Sequence, residues 1–340
     1  MRSGPGSRFA SPDNPGLLIA LGLFSGVAFM GSLLVGPSSV GWTELLDLIW
    51  GQASGPATLI LLEIRMPRAL LGMMVGVTLG LSGAALQGYL RNPLAEPGLI
   101  GISASASFGA VVMIYTGLAG LFTLALPLGG IVGAFAAVAL IQVISGKNAG
   151  TLHLILAGIA ITSFASALTS LSINLAPNPF ASLEIMFWLM GSLADRSYEQ
   201  VWLATPFMVA GWCVLLPLGR PLDALILGED VAQSMGFNVA RVRKQLVAGT
   251  ALCVGAATAV TGTIGFVGLV VPHLLRKRVG NKPGSLMLAS ALGGACLTLT
   301  ADIAVRILSH GQELKLGVLT ALIGGPFFLL LIMKARREWP

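Results

Sequence analysis

Residues 65–98 read RMPRALLGMMVGVTLGLSGAALQGYLRNPLAEPG, and this stretch decides the fold. Every residue between Arg68 and Arg91 is uncharged, and most of them are apolar. A helix of about 20 apolar residues is as long as the hydrocarbon core of a bilayer is thick. The stretch therefore predicts a membrane-spanning helix with arginines at both ends.

The composition of the whole chain also indicates a lipid environment. Of the 340 residues, 55% are hydrophobic and only 10% are charged, and the mean hydropathy is +0.87. Soluble globular domains carry about 25% charged residues. The composition therefore argues against a soluble enzyme, a nucleic-acid-binding protein and a disordered protein.

Ten apolar runs predict an all-α, polytopic membrane protein with about ten transmembrane helices. Nine runs are long enough to span a bilayer, whereas 266–275 is too short and follows the break at Gly262–Gly265. Such a segment is tolerated at membrane depth only where protein or a water-filled cavity covers it, so it points to a translocation path. The runs are 15–35, 66–88, 98–117, 119–144, 151–174, 201–218, 244–264, 266–275, 285–308 and 316–334.

The distribution of basic residues predicts the orientation. With ten spans and a cytoplasmic N-terminus, 15 Lys and Arg residues fall on the cytoplasmic side and five on the other side. This bias predicts that both termini are cytoplasmic. We expect residues 1–14 to form a cytoplasmic tail and residues 15–340 to form one transmembrane domain, whose first helix is retained rather than cleaved.

The longest cytoplasmic connection, 219–243, contains two short helix signals. We expect Asp223 to cap the first helix and Gly228 to end it. The pair Glu229–Asp230 then suits the start of a second helix, which ends at Gly236. Two short helices on the membrane face suit the docking of a soluble partner, and an ordinary ordered loop is the alternative.

Charged residues are nearly absent from the predicted spans. Asp302 and Arg306 stand four apart near the outer end of one span, where they could pair on one helix face. Ion-coupled carriers usually keep ionisable groups at mid-membrane, and the chain has no G-x-x-x-x-G-K-[ST] phosphate loop. A pump built on this chain would therefore take its energy from another subunit.

Several phrases go beyond generic membrane sequence. In order, they are RMPR at 65–68, GLSG at 80–83, RNPLAEPG at 91–98, GED at 228–230, GFVGLVVPH at 265–273 and LTALIGGPFF at 319–328. With these phrases the chain resembles the permeases of type II ABC importers, the FecCD-type family, which carry iron-siderophores, haem and cobalamin. The resemblance runs from about Arg65 to the last span, while residues 276–284 depart from the usual family wording.

The resemblance implies the type II ABC importer permease fold, with inverted repeats in helices 2–5 and 7–10 and a substrate path at a homodimer interface. Partners would be a second copy, two ATPase subunits that bind ATP and Mg²⁺, one periplasmic binding protein and membrane lipid, with no nucleic acid. The chain itself would hold no cofactor or metal and would lie in the bacterial inner membrane. The implied ATPase-coupling residues are Leu222, Asp223, Leu227, Gly228, Glu229, Asp230, Ser234, Met235 and Gly236.

At the outer face, the resemblance implies that Arg65, Arg68 and Arg306 meet acidic residues on the binding protein. The planar guanidinium suits this role because it binds a carboxylate through two hydrogen bonds. The residues alone leave two other interpretations open. The arginines could snorkel to the interface, or Arg306 could pair with Asp302.

At the inner face, the resemblance places a cytoplasmic gate at Asn92, Leu94, Thr151 and Leu152. A gate needs small or apolar groups that close tightly and part without breaking a strong bond. A helix-ending turn at Asn92–Pro93 and a helix cap at Thr151 are alternative interpretations, and both are compatible with a gate.

The expected function is therefore ATP-driven import of a bulky metal chelate from periplasm to cytoplasm by alternating access, with iron-siderophore or haem ahead of cobalamin as cargo. Neither the histidines nor the three cysteines have metal-ligand spacing, so the sequence identifies no cargo metal. An intramembrane serine protease that uses Ser82 of GLSG with His273 as base is one alternative. An ion-coupled secondary transporter is another.

Overall fold

The computed structural model describes residues 14–38, 40–50, 55–145, 151–309 and 314–338. The expected tail at 1–14 lies outside this part of the chain except for Asn14, which caps the first helix by accepting a hydrogen bond from Leu17 N at 3.1 Å. Within the described ranges the regular structure is helical, without a strand, which confirms the all-α prediction.

Fourteen helices are used as landmarks below. The bounds are α1 Pro15–Leu34, α2 Trp42–Ile49, α3 Pro56–Leu90, α4 Ile102–Tyr115, α5 Ala125–Ser145, α6 Thr151–Asn174, α7 Pro179–Leu189, α8 Tyr198–Leu215, α9 Gly219–Leu225, α10 Glu229–Ser234, α11 Val239–Thr261, α12 Val267–Arg276, α13 Pro283–Leu308 and α14 Leu316–Glu338.

Seven helical stretches in the described part are long and apolar enough to span a membrane, namely α1, α3, α5, α6, α8 with its continuation to Leu225, α13 and α14. The expected span at 98–117 is shorter than predicted, because its α-helix covers only Ile102–Tyr115 after a 3-10 turn at Pro97–Ile100. The apolar runs also did not predict α7, which is capped at its N-terminus by the side chain of Asn178.

The second span begins earlier than the sequence indicated. Its helix starts at Pro56 and passes through a π-helical segment, Ile60–Arg65, before the regular turns from Met66. Proline has no N–H to donate to the preceding turn, so a widened turn just before Pro67 is a natural way to keep the helix continuous. Arg65 and Arg68 therefore lie within a helix rather than ahead of it.

The order of helix lengths recurs in the two halves of the chain. In the first half the long α3 is followed by a break, the short α4 and the long α5 and α6. In the second half the long α11 is followed by a break, the short α12 and the long α13 and α14. This recurrence is compatible with the inverted repeats that the sequence resemblance implies.

Small residues hold the centre of the bundle together, where α3 packs against α12 and α13. A Cβ atom on Gly83 would lie 2.1 Å from Gly268 O, and one on Gly80 would lie 1.9 Å from Ser290 O. Without a hydrophobic driving force between helices in lipid, such close backbone approach supplies the packing energy. The outward surfaces of α1, α6 and α14 instead expose large apolar side chains, as expected of helices that face lipid or another subunit.

The close approach of α3 and α12 predicts that Gly83→Val is strongly destabilising. Its side chain would collide with backbone atoms, which cannot rotate away, at a cost of about 3 kcal/mol or more in free energy of unfolding. Gly26→Val in α1 is the matched control, because nothing lies within 4 Å of a Cβ there. Thermal denaturation in detergent measures both. A native midpoint for Gly83→Val would contradict this packing.

Candidate translocation site

A cavity of about 450 Å³ lies beside the two helix breaks, at 91–101 and 262–266. The first break contributes Glu96, Pro97 and Gly98, and the second contributes Thr263, Ile264 and Gly265. The remaining lining comes from α3, α4, α6 and α7, at Leu79, Ser103, Ala104, Ser107, Thr162, Ser166, Thr169, Ser170, Ile173 and Leu189. The break at Gly262–Gly265 therefore borders a cavity, whereas the short segment 266–275 that follows it contributes no lining residue.

The two breaks contact each other well inside the bundle. A Cβ atom on Gly268 would lie 2.8 Å from Pro97 Cδ and 2.9 Å from Leu79 O. Leu79 is about 16 Å from the end of α3 at Leu90, given the rise per helical residue. Since the hydrocarbon core is about 30 Å thick, this junction lies near the depth of the membrane centre.

Glu96 joins the first break to the second. Its Oε1 accepts a hydrogen bond from Phe266 N at 2.5 Å, at the residue that caps α12. Phe266 is in the left-handed region with a φ of 66°, and its ring packs against Gly324 of α14. The carboxylate therefore lies at the positive end of the α12 dipole, where a negative charge is stabilised.

Hydrogen bonds from other residues satisfy backbone carbonyl groups around the second break. Ser192 N donates to Thr261 O at 2.8 Å, Thr263 Oγ1 donates to Leu189 O, and Gly317 N donates to Gly191 O at 3.1 Å. Because no water is available inside a bilayer, a helix can be interrupted there only if such groups replace its lost hydrogen bonds.

The loop after α3 is held at a second point by Gln87. Its amide nitrogen donates to Ala95 O at 3.2 Å, and its Oε1 accepts from Arg276 Nη2 at 2.6 Å. Gln87 is buried. Residues 95 and 96 are therefore both attached to the α12 region.

The expected gate residues fall into two groups. Asn92 is exposed, accepts from Leu94 N at 2.9 Å and follows Arg91, whose φ of 49° ends α3. The interpretation of Asn92–Pro93 as a helix-ending turn is thus confirmed, and Leu94 is half-buried. Leu152 is exposed at the start of α6, and the side chain of Thr151 lies outside the described residues. The gate role itself stays a prediction.

The three arginines that the sequence analysis assigned to the outer face form one cluster, in which Arg68 and Arg306 bind Asp302 and Arg65 lies beside Arg306 at the end of α1. Arg68 donates to Asp302 through Nε and Nη2, at 3.0 and 2.8 Å, and Arg306 Nε donates to it at 2.9 Å. The predicted pairing of Asp302 with Arg306 is thereby confirmed, and the same carboxylate also joins α13 to α3. Arg68 is 234 positions from Asp302, so sequence spacing could not reveal that bond.

Backbone carbonyls at the end of α1 complete this cluster. Arg65 donates to Leu33 O and Leu34 O at 2.7 Å and to Ser38 O at 2.6 Å. Arg306 Nη1 donates to Ser32 O at 2.7 Å. These bonds satisfy the carbonyls that the last turn of a helix leaves free. The cluster therefore joins α1, α3 and α13 at one end of the bundle.

The connection 219–243 forms the two short helices that its sequence indicated, with one correction. Gly228, with a φ of 115°, precedes α10, and Gly236, with a φ of 88°, follows it, as predicted. Asp223 does not cap its own helix, because α9 already begins at Gly219. Its Oδ1 instead accepts from Gly284 N at 2.8 Å, in the first turn of α13.

The predicted coupling residues differ in exposure. Leu222 is buried under the end of α3, close to Gly88. Four apolar side chains on the same connection are instead exposed, which is unusual for a surface helix. They are Ile226, Leu227, Val231 and Met235, and we call them the coupling patch. The hydroxyl of Ser234 donates to Asp230 O at 2.9 Å within α10.

An ion pair links this connection to the first break, 91–101. We call this segment the gate loop, because the expected gate residues Asn92 and Leu94 lie in it. Arg91 Nη2 lies 3.7 Å from Glu229 Oε1, and both side chains are exposed. An exposed pair contributes little stability. It does, however, show that the first turn of α10 lies beside the end of α3.

The serine-protease alternative does not fit the geometry. Ser82 is fully buried, and its hydroxyl donates to Thr78 O at 2.6 Å within its own helix. Gly80 and Gly83 of the same phrase serve helix packing, as described above. A substrate carbonyl could not reach Ser82. The described residues also contain no cluster of three His, Cys, Asp or Glu side chains that could hold a metal ion.

The fold and the site define the membrane-spanning subunit of an ABC transporter. The FecCD transport family matches residues 23–334. This chain belongs to the FecCD transport family, which confirms the resemblance that its motifs indicated.

Named relatives support the same class. The hemin transport system permease protein HmuU of Yersinia pestis is 37% identical over 326 residues, covering 95% of this chain and 94% of that protein. The vitamin B12 import system permease protein BtuC of Shigella boydii is 36% identical over 323 residues, covering 94% and 95%. A solved inward-facing structure, described as a metal-chelate type ABC transporter, has a TM-score of 0.84 and 33% identity, covering 94% of this chain and 99% of that one.

The outer cluster predicts a large effect for Asp302→Ala. Removing the carboxylate leaves Arg68 and Arg306 buried without their common anion, and loss of one partner of a buried ion pair costs about 3–5 kcal/mol. Thermal denaturation should show this loss. Asp47→Ala on the exposed face of α2 is the control. Equal stability of the two variants would contradict a structural role for the cluster.

Proposed function

We propose that this chain is the permease subunit of an ATP-driven importer that moves a bulky metal chelate across the bacterial inner membrane. The observation that carries the proposal is the cavity at the paired helix breaks, in a chain that belongs to the FecCD transport family. Irregular backbone inside a membrane bundle is a common site of substrate passage, because it can line a cavity without facing lipid.

A second copy of the chain would complete the path. The cavity is open on one side. Five of its lining residues come from α6, and the same helix carries exposed large apolar side chains at Leu156, Ile159 and Phe164. A pair of α6 helices from two copies would cover such surfaces and enclose a lumen between them. A homodimer is the simplest assembly that does this.

ATP hydrolysis would take place in separate ATPase subunits that bind the coupling patch. Motion of α10 would reach the gate loop through Leu222 under α3 and through the Arg91–Glu229 pair. From the gate loop it would reach the second break through the hydrogen bond of Glu96 with Phe266. This series of contacts is our proposed route by which the ATPase opens and closes the cavity.

A periplasmic binding protein would dock at the end of the bundle that carries the arginine cluster. All three arginines bind groups of this chain, and the side chain of Arg68, at 14% exposed, is the most accessible of them. We propose that Arg68 offers the accessible positive charge of the three. The other two would fix the surface on which the binding protein lies.

Uptake into proteoliposomes tests the proposed function. Vesicles that contain this chain, its ATPase and its binding protein should accumulate a labelled metal chelate only when ATP is supplied. Met235→Glu should lower ATPase binding and uptake by about tenfold, because it places a charge in an apolar contact. Affinity of the ATPase and the initial uptake rate are the two readouts.

Gln233→Glu is the matched control, because Gln233 is exposed on the same short helix and acquires the same charge without belonging to the coupling patch. It should leave both readouts close to native. Chelate accumulation at an undiminished rate without ATPase or ATP would contradict the proposal, and would favour an ion-coupled carrier.

A further inference from the structure

The lining of the cavity is rich in hydroxyl groups. Seven of its 16 residues are serine or threonine, at Ser103, Ser107, Thr162, Ser166, Thr169, Ser170 and Thr263. Hydroxyls both donate and accept hydrogen bonds and can rotate to suit a partner. A surface of this kind can bind a succession of neutral polar groups without holding any one of them strongly.

One of these hydroxyls lacks a partner. Ser107 is only 4% exposed, and its Oγ has no hydrogen-bond partner among the described residues. An unsatisfied polar group at such a site is rare, because burial without a hydrogen bond is costly. Thr250 and Ser290 also lack a partner among the described residues, but both are fully buried and neither lines the cavity. Ser107 Oγ is itself covered, so a rotation of its side chain toward the cavity would make it available to a polar group there.

The lining of the cavity also carries very little charge. Glu96 is its only ionisable side chain, and none of the described lining residues is Lys, Arg or His. Passages for anions carry rings of Lys or Arg. Whether Glu96 is ionised or protonated, it supplies no positive charge. A carboxylate on the cargo would lose its water in this cavity and find no cation to replace it.

We infer that this cavity accepts metal chelates that carry no net negative charge and present amide or hydroxamate groups at their rim. Such groups match the hydroxyl lining of the cavity. The inference rests on the proposed function and adds its substrate class. A chelate with free carboxylates, such as haem with its two propionates, would be disfavoured, which moves haem behind cobalamin in the order that the family resemblance suggested.

Equilibrium binding to the permease–ATPase complex in nanodiscs tests this inference, because omitting the binding protein isolates the selectivity of the cavity. The probes are cyanocobalamin and iron-loaded ferrichrome, which are neutral, and haemin, which is anionic. After subtraction of binding to empty nanodiscs, at least one neutral probe should bind about tenfold more tightly than haemin, since haemin leaves its carboxylates unpaired.

A pair of lysine variants on α6 provides the control. Ser166→Lys places a cation in the cavity and should shift the affinity ratio toward haemin by about tenfold. Leu171→Lys adds the same charge near the end of the same helix, at an exposed position that faces away from the cavity, and should leave the ratio unchanged.

Two results would overturn the inference. Tighter binding of haemin than of both neutral probes would do so, and so would equal shifts in the two lysine variants. Either result leaves the proposed function intact if the reconstituted transporter still accumulates haemin with ATP. Failure of ATP-driven uptake for every chelate, by contrast, refutes the proposed function itself.

Discussion

The structure depends on the hydrogen bonding of its interrupted helices. A backbone N–H or C=O group inside a bilayer has no water to bond with, so a helix break there must be satisfied by the protein. Here the two breaks satisfy this requirement largely through each other and their neighbours. Glu96 from the first break binds Phe266 N in the second, and Gln87 binds Ala95 O. The cavity lies against this junction, and residues of both breaks line it.

The same junction brings residues that are far apart in the sequence into contact. The gate loop contacts α10 through the Arg91–Glu229 ion pair, and it contacts the start of α12 through the hydrogen bond of Glu96 with Phe266. Phe266 in turn packs on α14. The helices α10, α12 and α14 are therefore connected through a few residues of this loop and of the second break. The arginine cluster at the opposite end holds α1, α3 and α13 by buried ion pairs and carbonyl bonds, so motion is more easily accommodated at the junction than there.

The sequence predicted what depends on local pattern. Apolar runs located most of the long helices, Gly228 and Gly236 bounded α10, and the spacing of Asp302 and Arg306 predicted their pair. It could not predict what depends on contacts between distant residues. Asp223 caps a helix 61 positions away, and Arg68 and Glu96 find their partners 234 and 170 positions away. The phrase RNPLAEPG indicated the family without showing that its glutamate borders the cavity.

The central claim is that the hydroxyl-lined cavity is the route of the cargo. It is tested most directly by the reactivity of a Ser166→Cys thiol in the complete reconstituted transporter, in a background where the exposed Cys213 is replaced by serine. A membrane-impermeant thiol reagent should modify this thiol from one side of the membrane without nucleotide, and from the other side when ATP is bound. The thiol of Leu171→Cys, on the face of α6 away from the cavity, should show no such reversal. A Ser166→Cys thiol that stays unreactive from both sides in both states, while the transporter still accumulates cargo, would contradict the account.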